Sequence, residues 1–260
     1  MGRRTTAFAL AFLLMPALWG RAAAPVGPAS PQGDSWRSIA KLPDWAGAWG
    51  LDDASFARSR DAATNPDTNN PNVPPLTAEY AAKRLANGAA NGGHGPESGV
   101  INNSAKCIPN GMPDIMQAPY AFEFLFTPGR VTIIAENDQV RRIFTSRRTH
   151  PDDPDPTFNG DSIGHWEGNT LVVDTVAILP EAEFFMGLRT TGKTHVIERM
   201  FRKNADTFQI DTTVIDPIAF TKPYRYTKTY KLAPAGMTEY VCEQNNRDNN
   251  GPVDLTPPSQ

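Results

Sequence analysis

The segment GDSIGHWEGNTLVVDT, residues 160–175, concentrates side chains that can move protons. Gly168-Asn169 divides it into two alternating runs, and glycine at the first position of a two-residue turn suits a type II′ hairpin. That turn places His165 opposite Val172, Ile163 opposite Asp174 and Asp161 opposite Val176. These six share one side of the sheet. Ser162, Gly164, Trp166, Leu171, Val173 and Thr175 share the other. If the first side faces an enclosed interior, His165 and Asp174 are diagonal neighbours in apolar surroundings. A carboxylate beside an imidazole there makes an acid/base pair that requires no metal or nucleotide. If it faces outward, the same residues form a solvated strand. The period of two fixes the partition and leaves the direction open.

Further polar residues extend this candidate site. Arg147, Arg148, His150, Asp152 and Asp153 lie just upstream, either as a solvated loop or as a rim for an anionic or hydroxylated ligand. In the catalytic reading His165 is the base or acid and Asp174 orients it. Asp161 and His150 are secondary polar groups, and Arg148 clamps an anion. Glu198 and Arg199 are adjacent in a strand and point to opposite faces. Val196 and Met200 flank Glu198 on its own face, which makes it semi-buried and paired with an arginine. Arg148, Trp166, Glu198 and Phe124 are the expected ligand contacts. No metal site and no cofactor are expected.

Two spellings mislead. GLRTTGKT at 187–194 fits a phosphate-binding loop in full. No apolar strand ends at Gly187, however, and no convincing magnesium-binding Asp follows. Gly160-Asp161-Ser162 matches the start of serine-hydrolase blocks. The last histidine is His195, so the Asp-x-x-His of exported lipases is missing. Ile163 occupies the position where a trypsin-like oxyanion site needs glycine.

The elements that must carry these residues are short strands. Tyr120, Phe122, Phe124 and Phe126 alternate along 119–127 and share one face. Strands follow at 130–136, 139–146, 161–167, 170–178, 195–203, 207–215, 224–232 and 237–243. Trp45–Gly50 reads as a first short strand. Residues 60–76 read as a surface loop, and Thr77 caps a short helix over 78–86. The connection 179–194 is long for a hairpin and reads as a plug or a lid. About ten antiparallel strands tend to close on themselves, because closure removes exposed edges, and the expected fold is an all-β, lipocalin-like barrel. Residues 25–118 form an irregular arm with the short helix, 119–243 the main β domain and 244–260 a polar tail.

The start of the chain has its own logic. Arg3 and Arg4, an apolar run from Ala7 to Leu18 and small residues at 22–24 make a secretory signal peptide over 1–24. The run is shorter than the roughly 20 residues of a membrane span. Periplasmic or secreted protein is expected, with cleavage after Ala22 or Ala24. A net charge of −3 without a basic stripe argues against nucleic acid as a partner. In an oxidising compartment Cys107 and Cys242 are expected to pair.

The 160–175 run resembles a signature of a large family of exported bacterial proteins, most of them uncharacterised. CIPNGMP at 107–113, RRIF at 141–144 with Arg148 and His150 beyond it, Glu198-Arg199, Asp216-Pro217 and EYVCE at 239–243 add to the resemblance, which spans about residues 45–246. His165 stands where that family commonly has arginine. The resemblance implies one exported β domain and adds no mechanism. Three functions compete: a cofactor-independent lyase, isomerase or hydratase acting on a small, partly apolar molecule inside the barrel; a periplasmic carrier of such a molecule; and a structural envelope protein.

Overall fold

The computed structural model describes residues 33–64, 70–91, 103–147, 149–185 and 187–242, all within one compact unit. The expected signal peptide, Arg148 and the expected tail from 244 onward lie outside the described residues.

Nine strands close into a barrel. In chain order the strands are β1 (Trp49–Leu51), β2 (Phe122–Thr127), β3 (Arg130–Ala135), β4 (Val140–Phe144), β5 (Asp161–Glu167), β6 (Thr170–Val176), β7 (Glu183–Phe185), β8 (Leu188–Arg189), β9 (His195–Asn204), β10 (Thr207–Ile215) and β11 (Tyr224–Leu232). Around the barrel the order is β1-β11-β10-β9-β6-β5-β4-β3-β2, and β2 returns to β1 through Trp49 and Phe122. The strands β7 and β8 form a separate two-stranded hairpin.

Alternation builds the core. The inward positions of β3, β6, β9 and β10 include Val131, Ile133, Leu171, Val173, Val196, Met200, Phe208 and Ile210, all buried. Aromatic residues fill one region of the interior. Trp45 lies 4.8 Å from Phe124, 5.0 Å from Trp166 and 4.8 Å from Phe208 between ring centroids. Such tilted and edge-on pairs contribute about 0.5–1.5 kcal/mol each beyond area burial. Elsewhere Phe184 of β7 packs 4.9 Å from Phe220 and 6.3 Å from Tyr80 of the helix α3 (Ala78–Asn91). Ala182, Phe184, Phe185 and Leu188 are buried, so of the two readings of the 179–194 connection the plug is the one its packing matches.

The hairpin register matches the sequence reading at every pair, from His165 with Val172 to Asp161 with Val176. Three features differ from the expectation. The strand β4 pairs with β5 in parallel, in an otherwise antiparallel barrel. Residues 237–243 form no strand in their described part, and Val241 among them is 39% exposed. Two helices stand beyond the one expected: α1 (Trp36–Ile39), and α2 (Asp53–Thr64), which runs into the segment read as a loop. Ser55 of α2 accepts a hydrogen bond from the Thr229 amide at 3.0 Å, and Ser59 accepts one from Lys228. The helix α2 therefore lies against β11 past the point where the three-residue β1 stops.

Cys107 and Cys242 form a disulfide with Cα atoms 5.7 Å apart, joining positions 135 residues apart in sequence. Closing so long a loop restricts the unfolded chain, by about 4–5 kcal/mol at most in the chain-entropy model. The double Cys107→Ser/Cys242→Ser variant is expected to lose stability of that order in urea unfolding. An unchanged midpoint would remove the disulfide from the account of stability.

Candidate functional site

The outer wall carries a ladder of alternating charge. The residues at 161, 163 and 165 face outward, as do 172, 174 and 176, because the buried set is Ser162, Gly164, Leu171, Val173 and Thr175. The chain leaving β4 returns to the start of its parallel neighbour β5 through residues 145–160, and this connection brings His150 onto the wall. Arg147 donates to Asp161 at 2.7 Å. His150 reaches Asp161 through Nδ1 at 2.7 Å and Asp174 through Nε2 at 3.2 Å. His195, from β9, reaches the same Asp174 oxygen through Nε2 at 2.8 Å. Carboxylates only accept, so both nitrogens of the His150 ring face acceptors, and only a ring carrying two N–H groups can donate to both at once.

Electrostatics follow the geometry. The hydrogen bond from His195 holds the Asp174 carboxyl below its ordinary value, against the effect of burial. The same bond raises the His195 imidazole. Burial pushes Asp161 upward, but hydrogen bonds from Arg147 and His150 outweigh it and hold the group low. A cleft of about 210 Å³ lies beside the ladder, lined by Arg147, Ile163, His165, Val172, Asp174 and Ile197 among others.

The interior carries a second polar assembly. Arg141 of β4 and Glu198 of β9 are both 0% exposed, and their nearest atoms are 2.5 Å apart. The same Arg141 nitrogen donates to Thr175 at 3.1 Å and Ser162 at 3.5 Å, and those two hydroxyls share a hydrogen bond of 2.8 Å. Among the described residues, the unpartnered buried polar atoms include Arg141 Nε and Nη1, Glu198 Oε1, and the indole nitrogens of Trp45 and Trp166. The Tyr226 hydroxyl, beside Thr212, makes no close hydrogen bond, and burial holds it well above its ordinary titration. Nearby, burial pushes Lys228 down to about 8. Asp114 is pushed up to about 7, by burial and then by the charge of Glu183.

The expected site residues therefore separate. Asp161, Asp174 and His150 come together, on the outer wall. His165 does not join them. It faces outward and meets Glu167 at 3.2 Å, and Glu167 also pairs with Arg199 at 2.9 Å. The inward His165–Asp174 pair is thus corrected: the hairpin turns its apolar side to the core, and Asp174 takes its imidazoles from His150 and His195. Phe124, Trp166 and Glu198 point inward, and Arg148 lies outside the described residues. The phosphate-loop spelling folds without a cradle. Thr191 and Thr194 both donate to Asp216, at 2.7 and 2.6 Å, and the segment leads into β9 rather than a helix.

Sequence reasoning missed Arg141 as Glu198's partner, His195 and Tyr226. For Arg141 a signal existed, since Arg141 and Arg142 are adjacent in a strand and one of them must point inward. For His195 none did, because its contact with Asp174 depends on the β6–β9 pairing.

No family model matches the chain, and no curated protein or solved structure matches it either.

Removing one member of a buried ion pair strands the other, at a cost of about 3–5 kcal/mol, whereas replacing both by apolar groups is near neutral. Arg141→Met is therefore expected to destabilise the barrel by that amount in urea unfolding. Adding Glu198→Leu should restore most of the loss. A double variant as unstable as the single one would contradict this account of the pair.

Proposed function

We propose that this protein is an exported barrel that binds a small, partly apolar molecule in its interior. The Arg141–Glu198 pair, Tyr226 and Trp166 would be its polar contacts. The observation that carries the reading is the set of unpartnered polar atoms around the inward aromatic residues. A buried donor or acceptor without a partner costs about 1–3 kcal/mol. An occupant that answers several at once recovers that cost, and the hydrophobic walls supply the rest of the affinity. The set is weighted toward donors: arginine and indole N–H groups and one phenol, against one carboxylate oxygen. The matching ligand class is an apolar or aromatic molecule that carries carbonyl, carboxyl or ether oxygens. Export is supported by the basic, apolar and small-residue order of the first 24 positions and by the disulfide, which persists in oxidising compartments. Among the described residues no helix is long and apolar enough to cross a membrane.

Acid/base turnover is the second reading, favoured by Asp174 between His150 and His195 beside an open cleft. Such proton transfer would be performed on the outer wall, with His195 as the exchanging group and Asp174 as its orienting partner.

Native mass spectrometry of protein purified from the periplasm tests the first reading. A co-purified mass that is released on denaturation is expected. Tyr226→Phe keeps the ring and removes one hydrogen bond, and should weaken binding about tenfold. A chain with no retained mass and no thermal shift from aromatic carboxylates or ketones would overturn interior binding.

A further inference from the structure

We infer that the ladder Arg147–Asp161–His150–Asp174–His195 is a protonation-dependent clasp that fastens the 145–160 connection to the outer wall of the β5–β6 hairpin. The inference is independent of interior binding. Its basis is the position of His150, the one rung of the ladder that belongs to the loop and touches both carboxylates of the wall, Asp161 and Asp174. Arg147, earlier in the same loop, holds Asp161 as well. The loop is thus tied to the barrel by side chains of which one is an imidazole bonded at both nitrogens.

The consequence of losing the proton follows from donor counting. A neutral imidazole has one N–H and one lone pair. It can donate to Asp161 or to Asp174, and its other nitrogen then faces a carboxylate lone pair. The same loss at His195 leaves Asp174 with weaker support from β9. The surroundings do not replace these protons. On β5 the remaining charged groups are His165 and Glu167, which pair with each other. On β9 Arg199 is engaged with Glu167. The loop itself adds exposed carboxylates at Asp152, Asp153 and Asp155, and β4 adds the exposed Arg142. Deprotonation therefore leaves an excess of carboxylate around Asp161 and Asp174.

The sign is fixed by the shifts. His195 is raised by its bond to Asp174, so its contribution is complete at acid pH and is lost as pH rises through the folded-state titration. Asp161 and Asp174 are held low, so theirs is complete above the ordinary carboxylate range and is lost only as pH falls through their depressed titrations. The clasp is tightest between these limits and loosens on the alkaline side.

The clasp bears on a groove beside the loop. The loop residues Pro151, Asp153 and Asp155 line a groove of about 710 Å³ together with Arg142 and Phe144 of β4, and Asp161 contributes to both groove and ladder. Loosening the loop changes the width of this groove.

Amide hydrogen exchange of the whole protein from about pH 5 to about pH 9 tests this, spanning the range in which histidine changes charge. Protection of residues 146–160 is divided by that of β9–β10 core amides, which removes the intrinsic pH dependence of exchange. The ratio should fall roughly tenfold for each unit by which clasping raises an imidazole titration. The imidazole NMR signals of His195 should move at the same midpoint. In His150→Gln, which can bond without titrating, and in Asp174→Asn the step should vanish. A passive anchor would lower protection in these variants without any pH step in the parent chain. A flat ratio in the parent, or an undiminished step in both variants, overturns the clasp.

Discussion

Closure of the barrel depends on the seam between β4 and β5. Every other pairing around the barrel is antiparallel, whereas this one is parallel and registers only Ile143 with Ser162 and Phe144 with Ile163. Two registered pairs make a short join, second in brevity to the single Trp49–Phe122 pair between β1 and β2. Two side-chain features reinforce it. Gly164 lets β4 approach, since a Cβ there would sit 2.8 Å from the Ile143 side chain. Arg141 then reaches from β4 across the seam to Ser162 of β5, Thr175 of β6 and Glu198 of β9. A single guanidinium so links four consecutive strands of the wall. Its planar, permanently charged fork suits this task, which a lysine ammonium could not repeat in the same geometry.

The seam also explains how much of the molecule could be read in advance. The hairpin of β5 and β6 was legible because a Gly-Asn turn and the period of two together determine a register, and the observed pairs agree residue by residue. The pairing of Cys107 with Cys242 followed from there being two cysteines in a chain expected to be exported. Glu198 was legible as a semi-buried, arginine-paired group because Val196 and Met200 share its face, and in the structure it is fully buried. The direction in which the hairpin faces was not legible from the hairpin alone. Both of its sides carry apolar residues, and the choice was made by Ile143, Met200 and the aromatic cluster, which lie on other strands. The expected strand at 237–243 alternates well enough, yet the barrel already closes through β1 and β11 and leaves no edge for it.

The ladder shows the same limit for function. Asp161, Asp174 and His150 were singled out by type and proximity, but His165 was placed with them by counting along one hairpin. Its place is taken by His195, twenty-one residues from Asp174 in sequence and brought beside it by the β6–β9 pairing. The parallel seam supplies the other imidazole, since its crossover runs along the wall. Long-range pairing thus chose which histidines meet the carboxylate, and alternation chose only the face.

Alternation has one further effect, which separates the two polar assemblies while keeping them on the same strand. Asp174 lies outside and accepts from His150 and His195, and the next residue, Thr175, lies inside and accepts from Arg141. The wall between them is one strand thick. The interior assembly is an ion pair, so it has no net charge and feels an external charge only through its dipole. The outer charges are also partly solvated, and salt screens their field beyond about 8 Å at physiological ionic strength. Titration on the wall therefore acts weakly on the interior through space. What remains is mechanical coupling through the β5–β6 backbone, which both assemblies grip from opposite sides. That hairpin is held by a complete antiparallel ladder of hydrogen bonds, so it resists the shifts that would carry a change from one face to the other. The protein can in this way loosen a surface loop while the interior polar centre stays in register.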